Sequence, residues 1–195
     1  MTAAIIAGYL IGSIPFALLL ARRWGTADLR AIGSGNLGAA NVMRTSGLTA
    51  GILVAVLDLA KGAVSVALAQ RFSPDDAAAP AIAGFAAIIG HIYPIWLRFK
   101  GGKGVATACG VFSVLTPAVV PPVLAIFLAA VALTKYISLG SLLATLALPP
   151  IAYLVGSAPA AVIAAIAASG IIVFRHRSNL ARLRMGTERR IGARA

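Results

Sequence analysis

The protein is 195 residues long, and 60% of its residues are hydrophobic while only 11% are charged. This balance lies outside that of soluble globular domains and excludes a large water-soluble domain. The net charge of +12 would suggest nucleic acid binding in a soluble protein, but here the basic residues flank apolar segments, as membrane topology requires. The sequence therefore predicts one polytopic membrane domain, residues 1–195, that binds no nucleic acid.

Apolar segments bounded by polar or glycine-rich residues predict an all-α fold with about seven transmembrane helices, because each span takes about 20 apolar residues. The first segment is expected to be a retained helix rather than a cleaved signal, since arginines follow it and no basic residue precedes it. The predicted spans lie near residues 3–21, 48–70, 80–97, 104–118, 119–134, 138–156 and 159–174.

The fourth and fifth predicted spans divide a single apolar run from Gly104 to Thr134. Three prolines, Pro117, Pro121 and Pro122, interrupt this run, and proline disfavours a continuous helix. Charge supports the division: with seven spans and the N-terminus outside, one face carries all but two of the 17 Lys and Arg residues. Cytoplasmic loops show this enrichment, so the C-terminus is predicted to be cytoplasmic.

A glycine-rich loop between the first two predicted spans has the composition of a phosphate-binding site. Its glycines let backbone N–H groups approach an anion, and its hydroxyl, amide and guanidinium groups add further donors and charge. The alternative is a flexible loop that caps a helix. The candidate residues are Ser34, Gly35, Asn36, Gly38, Asn41 and Arg44.

A second glycine-rich loop precedes the fourth predicted span. A helix N-terminus attracts anions through its unpaired N–H groups and its dipole, and two lysines add positive charge. This is not a Walker loop, because the required Gly-Lys-Ser/Thr spacing is absent. The alternative is that the lysines only anchor a helix to lipid headgroups. The candidate residues are Lys100, Gly101, Gly102, Lys103, Gly104 and Thr107.

A third polar segment, with Arg175, His176 and Asn179, follows the last predicted span. A basic tail alone is usually a topology signal, but a histidine and an asparagine three residues apart would share one face of a helix. Ser141, at the start of the sixth predicted span, either caps that helix or contacts a ligand.

Few other polar residues fall within the predicted spans. Asp58 and Lys61 have the spacing of a helical ion pair, and we interpret them as a structural pair. His91 is expected to pack between helices rather than to act as a base. A single cysteine, Cys109, excludes an intramolecular disulfide, and the scattered histidines and acids predict no metal site.

The motifs at residues 33–44, 58–62, 90–94, 99–107 and 175–188 resemble, in this order, those of the PlsY family of membrane acyltransferases. The resemblance implies transfer of a fatty acyl group from acyl phosphate to the first hydroxyl of glycerol 3-phosphate, without a cofactor. The products would be lysophosphatidic acid and inorganic phosphate, in the first acylation of bacterial phospholipid synthesis. The resemblance also implies that the enzyme lies in the bacterial inner membrane, among membrane lipids, with its active site on the cytoplasmic face.

The resemblance also implies roles for individual residues. The expected contacts to glycerol 3-phosphate come from Ser34, Arg44, Lys103, His176 and Asn179, and those near the acyl phosphate from Asn36, Gly38, Lys103 and Ser141. The remaining glycines and polar residues of the three segments, with Arg175, are expected to line the substrate site. A soluble enzyme that produces acyl phosphate is a candidate transient partner.

Acyl phosphate is an activated anhydride, so this reaction needs positioning and charge stabilisation more than a strong nucleophile. Asn36 and the Gly38 N–H are predicted to bind the developing oxyanion, and Lys103 to bridge the phosphates. Unrelated acyltransferases use a His-x4-Asp pair as the base, but neither histidine here has an aspartate five residues on. A phosphate oxygen of the donor is therefore predicted to accept the proton of the attacking hydroxyl.

Two other functions fit the sequence less well. A transporter for a phosphorylated anion would need ligands reachable from both faces, whereas the predicted outer loops are short and carry few polar residues. A CDP-alcohol phosphatidyltransferase would need paired aspartate motifs for metal, and the sequence lacks them.

Overall fold

The computed structural model describes residues 1–23 and 29–191, which fold into α-helices with no strand in these two ranges. This confirms the predicted all-α class. The chain forms two compact units, Met1–Leu115 and Thr116–Ala195. The helices of the first unit are α1 (Thr2–Gly12), α2 (Phe16–Arg23), α3 (Ala39–Ser46), α4 (Leu48–Phe72), α5 (Ala79–Ile92) and α6 (Val105–Leu115). The helices of the second unit are α7 (Val120–Thr134), α8 (Ile137–Leu154), α9 (Pro159–Arg175) and α10 (Arg177–Arg184).

Small residues allow the helices of the first unit to pack closely. A Cβ atom at Gly12 of α1 would collide with the backbone of Ala87 in α5. A Cβ at Gly62 of α4 would meet the carbonyl of Thr107 in α6, and one at Gly110 would meet the carbonyl of Leu59. Such contacts suit helices in lipid, where packing rather than water drives association.

The second unit packs α7 on α8 and α8 on α9. The hydroxyl of Ser169 in α9 donates to the carbonyl oxygen of Thr145 in α8 over 2.7 Å. Gly140 lets α8 approach α7, because a Cβ there would crowd Val131 and the backbone of Phe127. These contacts position the start of α8 and the end of α9, where the candidate residues of this unit lie.

Helix length and composition alone give fewer spans among the described residues than the seven predicted. Within the described residues, five helical segments are long and apolar enough to cross a membrane. A sixth exists only if α9 and α10, which are bent by 56°, count as one. Helix α6 has 11 residues and rises only about 16 Å, against about 30 Å of hydrocarbon. The predicted segment 104–118 looked longer because Gly104 and Pro117, which lie outside the helix, are also non-polar.

The structure also shows a break within the first predicted span and a helix within the loop that follows it, and the sequence predicted neither. The first predicted span is interrupted between α1 and α2 at residues 13–15, where Pro15 cannot donate a backbone hydrogen bond. The loop at residues 22–47 contains a short helix, α3, which begins directly after the glycine-rich segment. The break and the helix both contribute to the candidate site of the first unit.

Candidate functional site

The first glycine-rich loop is organised by Asn41, which lies in the first turn of α3 and is 2% exposed. Its Oδ1 accepts hydrogen bonds from the backbone N–H and the hydroxyl of Ser34, at 2.8 and 3.1 Å. Its Nδ2 donates to the carbonyls of Leu29 and Ile32, at 3.1 and 3.3 Å. These four bonds use the full capacity of the amide. Asn41 therefore positions Ser34, and a contact between Asn41 and substrate stays a prediction.

Glycine is required on both sides of Ser34. Gly33 has φ 62° and Gly35 has φ 67°, in the left-handed region that side chains other than glycine rarely adopt. A Cβ at Gly33 would also collide with Oδ1 of Asn41. The turn therefore presents Ser34 at the surface, while the amide beneath it stays buried.

Asn36 and Gly38, the predicted oxyanion donors, are hydrogen-bonded to each other. The N–H of Gly38, the residue that caps α3, donates to Oδ1 of Asn36 over 2.9 Å. An asparagine often holds a turn two residues ahead in this way. The Gly38 N–H is used in this bond, whereas Nδ2 of Asn36 is not part of it. Of the two predicted oxyanion donors, Asn36 Nδ2 is therefore the better placed. Arg44 lies on an exposed face in the last turn of α3.

Gly101 and Gly102 of the second loop complete the end of helix α5. The N–H of Gly101 donates to the carbonyl of Ile92 over 3.0 Å, and that of Gly102 to the carbonyl of His91 over 3.1 Å. The last carbonyls of a helix otherwise have no partner within it. A Cβ at Gly102 would collide with the His91 imidazole. The structure therefore gives these two glycines a structural role, and their contact with substrate stays a prediction.

The rest of the second loop leads into α6. Lys100 is exposed and Lys103 is partly exposed, while Gly104 has φ 90° and accepts the first helical hydrogen bond from Ala108 at 2.8 Å. The hydroxyl of Thr107, in the first turn of α6, is buried and has no hydrogen-bond partner within residues 1–23 and 29–191. A polar group in that position is costly unless something satisfies it.

Buried charges lie beneath these two loops. The Asp58 carboxylate is 2.9 Å from the Lys61 ammonium and 3.4 Å from Nδ1 of His91. Lys61 also donates to the carbonyl of Ile14, over 3.1 Å, at the break between α1 and α2. The ion pair predicted from the sequence spacing is therefore present. Leu37 of the first loop and Gly101 of the second line one small cavity together with these charged residues. The structure thus brings the first two predicted loops together within the first unit.

The candidate residues of the second unit lie around the junction of α9 and α10. His176 occupies the bend and is buried, and its Nδ1 lies 2.8 Å from the carbonyl oxygen of Ile172. A carbonyl only accepts, so Nδ1 carries a proton. Arg175 is the last residue of α9. Ser141 is buried within α8, which begins at Ile137 with Tyr136 as its cap. The capping alternative for Ser141 is therefore excluded.

Asn179 is held by a carboxylate that the sequence did not single out as a site residue. Glu188 accepts hydrogen bonds from Nδ2 of Asn179 at 2.8 Å, Oγ of Ser138 at 2.9 Å and Nε of Arg182 at 2.7 Å. Ser138 and Glu188 are 50 residues apart, so no local pattern could have linked them. Glu188 ends the motif at residues 175–188 that carries the family resemblance, but the sequence alone gave it no role.

The pKa of Glu188 lies below its ordinary value. Burial raises this pKa. The hydrogen bonds from Asn179, Arg182 and Ser138 and the charge of Arg182 together lower it by more than burial raises it. A carboxylate with a depressed pKa stabilises the fold above its ordinary pKa of about 4.3. That stabilisation is lost as the pH falls through the lowered value.

Acidification below about pH 4.3 is therefore expected to lower the thermal unfolding temperature more steeply in the wild type than in a Glu188→Gln variant. The variant cannot take up this proton, so it lacks that part of the pH dependence. Thermal unfolding in detergent at several pH values between about 3 and 6 would measure the difference. Parallel curves for the two proteins would contradict the assignment.

The chain is similar to a known protein family and to individual relatives over nearly its whole length. The family model described as glycerol-3-phosphate acyltransferase matches residues 2–186. A glycerol-3-phosphate acyltransferase of Roseobacter denitrificans is 47% identical over 187 residues, which cover 96% of this chain and 92% of the relative. One of Geobacter sulfurreducens is 48% identical over 185 residues, covering 95% and 94%.

Two crystal structures of PlsY, an integral membrane glycerol 3-phosphate acyltransferase, are similar to this chain. The glycerol 3-phosphate form has a TM-score of 0.93 at 38% identity, and covers 98% of this chain and 95% of that one. The lysophosphatidic acid form has a TM-score of 0.90 at 36% identity, with the same coverage.

Proposed function

Because the chain belongs to the glycerol-3-phosphate acyltransferase family, we propose that it transfers a fatty acyl group from acyl phosphate to the 1-hydroxyl of glycerol 3-phosphate. Family membership makes the chain an integral membrane enzyme that acylates glycerol 3-phosphate. The proposal adds the donor and the hydroxyl that reacts. The products are then lysophosphatidic acid and inorganic phosphate, and the reaction is the first acylation of phospholipid synthesis.

One observation carries the choice of donor. The first unit collects a hydroxyl, an amide and two cations on its glycine-rich loops, at Ser34, Asn36, Arg44 and Lys103, with no carboxylate among residues 29–44 and 98–107. Two phosphorylated substrates need this excess of donors and positive charge. An acyl thioester would not bring a phosphate to the reacting carbonyl itself.

The chemical step then follows from the chemistry of acyl phosphate. The 1-hydroxyl oxygen attacks the acyl carbonyl, the bond between that carbon and the phosphate oxygen breaks, and inorganic phosphate leaves. Asn36 Nδ2 stabilises the developing oxyanion, and Lys103 neutralises the departing phosphate. Ser34 and Arg44 hold the phosphate of the acceptor.

The proton of the attacking hydroxyl passes to a phosphate oxygen of the donor. His176 is the alternative base, but its Nδ1 bonds a neutral carbonyl rather than a carboxylate. A carboxylate partner would stabilise the protonated ring, as it does in catalytic triads. We therefore assign His176 and Asn179, with Ser141, to substrate binding.

The basic residues give the proposed orientation in the membrane. All but two of the 17 lysines and arginines fall on one side when the N-terminus is outside, and cytoplasmic loops carry this excess. The chain would then lie in the bacterial inner membrane, with its active site on the cytoplasmic face. This orientation needs seven crossings, which are the five long segments, the bent pair α9–α10 and the short helix α6. A soluble enzyme that makes acyl phosphate could meet the basic face transiently.

A purified-enzyme assay tests the donor directly. The full-length protein in detergent should release inorganic phosphate when given only acyl phosphate and glycerol 3-phosphate, and should be inactive with an acyl thioester. Lys103→Ala should lower kcat/KM about a hundredfold, as loss of one transition-state donor typically does. Arg71→Ala, which removes an exposed cation at the far end of α4, should retain wild-type activity. Turnover with the thioester alone would refute the assigned donor.

A further inference from the structure

A single buried carboxylate ties the segment after α10 to α8. Glu188 is 8% exposed, and its Oε1 accepts from both Ser138 of α8 and Asn179 of α10. Its Oε2 accepts from Arg182, one helical turn beyond Asn179. The carboxylate thus accepts three hydrogen bonds, from donors on two helices.

Neighbouring contacts hold the same segment on the connection between α7 and α8. The N–H of Ile191 donates to the carbonyl of Lys135 over 2.8 Å, and Nε of Arg190 donates to the hydroxyl of Tyr136 over 3.1 Å. The path of the tail therefore does not depend on Glu188 alone. This matters for experiment, because removing the carboxylate leaves other contacts in place.

The bond to Glu188 fixes the orientation of the Asn179 amide. An ionised carboxylate can only accept hydrogen bonds, so the amide nitrogen has to face it. The flipped amide would place its oxygen against Oε1 of Glu188, and two acceptors in contact repel each other. Asn179 is itself buried, at 5% exposure, so solvent cannot compensate for a lost partner. Glu188 therefore determines which atom of Asn179 faces the opposite direction.

We propose that Glu188 is a positioning residue for Asn179, and that binding of glycerol 3-phosphate depends on this carboxylate although it does not touch the substrate. The inference rests on the proposed function, in which Asn179 contacts glycerol 3-phosphate. Glu188 acts by holding the Asn179 side chain in one rotamer and one amide orientation. Ser138 and Arg182 in turn hold the carboxylate.

A double-mutant cycle distinguishes positioning from general structural support. Asn179→Ala and Glu188→Ala should each raise the KM for glycerol 3-phosphate about tenfold, as loss of a charged hydrogen bond would. Each should change kcat by less than about threefold and leave the KM for acyl phosphate unaltered. The double variant should be no worse than Asn179→Ala, because both substitutions remove the same contact.

Two further variants serve as controls. Arg190→Ala loosens the tail at Tyr136 without touching Glu188 and should keep the wild-type KM. Glu188→Gln keeps the side-chain volume but offers one acceptor oxygen instead of two, so it should raise the KM less than Glu188→Ala. If thermal unfolding shows that Glu188→Ala is too unstable for the kinetic assay, Glu188→Gln provides the same test.

The possible outcomes separate the two claims. Additive effects in the double variant, or equal increases in the KM for both substrates, would overturn the positioning role of Glu188. If Asn179→Ala leaves the KM for glycerol 3-phosphate unchanged, the inference fails together with that one residue assignment. If the wild type does not turn over acyl phosphate and glycerol 3-phosphate at all, the proposed donor fails instead.

Discussion

Asp58→Ala is expected to lower the free energy of unfolding by about 3–5 kcal/mol, because removal of one partner leaves a buried charge uncompensated. The Lys61 ammonium lies 2.9 Å from the Asp58 carboxylate, and both side chains are 4% exposed. Without Asp58, the remaining partners of Lys61 given by the structure are the carbonyl of Ile14 at 3.1 Å and the Phe16 ring, whose centroid lies 5.8 Å from Nζ. A neutral carbonyl cannot balance a full positive charge in the apolar interior.

Thermal unfolding of the purified protein in detergent would measure this loss, with an expected fall of about 10 °C for a chain of this size. Asp75→Ala is the matched control, since it makes the same change at an exposed position and should have almost no effect. A variant with Asp58→Leu and Lys61→Met should be more stable than Asp58→Ala alone, because it removes both charges. If the single variant unfolds at the wild-type temperature, the ion pair is not structural.

The position of this pair links stability to the site. Lys61 satisfies a carbonyl at the break between α1 and α2, and Asp58 lies 3.4 Å from His91. The His91 ring in turn packs on Gly102, whose N–H bonds to the His91 carbonyl. Loss of Asp58 should therefore disturb the loop that carries Lys103, and we expect activity to fall with stability.

Gly110→Ala is expected to destabilise the protein by about 3 kcal/mol, at the upper end of the range for an overpacked interior. The added Cβ would overlap the backbone of Leu59 in α4, rather than a flexible side chain. Helices α4 and α6 would have to separate, and the opposing contact between Gly62 and the Thr107 carbonyl would loosen as well.

Gly170→Ala is the matched control for this substitution. Gly170 lies within α9, and an added Cβ there would meet no atom within 4 Å. Alanine favours a helix over glycine by about 0.8–1.0 kcal/mol, so this variant should be as stable as the wild type or slightly more stable. Thermal unfolding of both variants in the same detergent provides the comparison. Equal stability of the two would show that α4 and α6 tolerate separation.

The sequence by itself determined the helical class, the membrane location and the family. Each depends on local information: runs of apolar residues identify helices, charge next to those runs indicates topology, and motifs such as residues 33–44 and 99–107 identify relatives. The Asp58–Lys61 pair was also predictable, because a three-residue spacing on a helix brings two side chains together.

Only the tertiary structure decided how the site residues are held. Asn41 is predicted to bind substrate, and the structure shows that its amide also binds Ser34 and the carbonyls of the loop. Gly101 and Gly102 are predicted to line the substrate site, and the structure shows that their N–H groups complete α5. The Glu188 carboxylate accepts a hydrogen bond from Ser138, which lies 50 residues away in the sequence. Residue types at a given spacing show which groups can form hydrogen bonds, whereas the partner of each group depends on which distant segments the fold brings into contact.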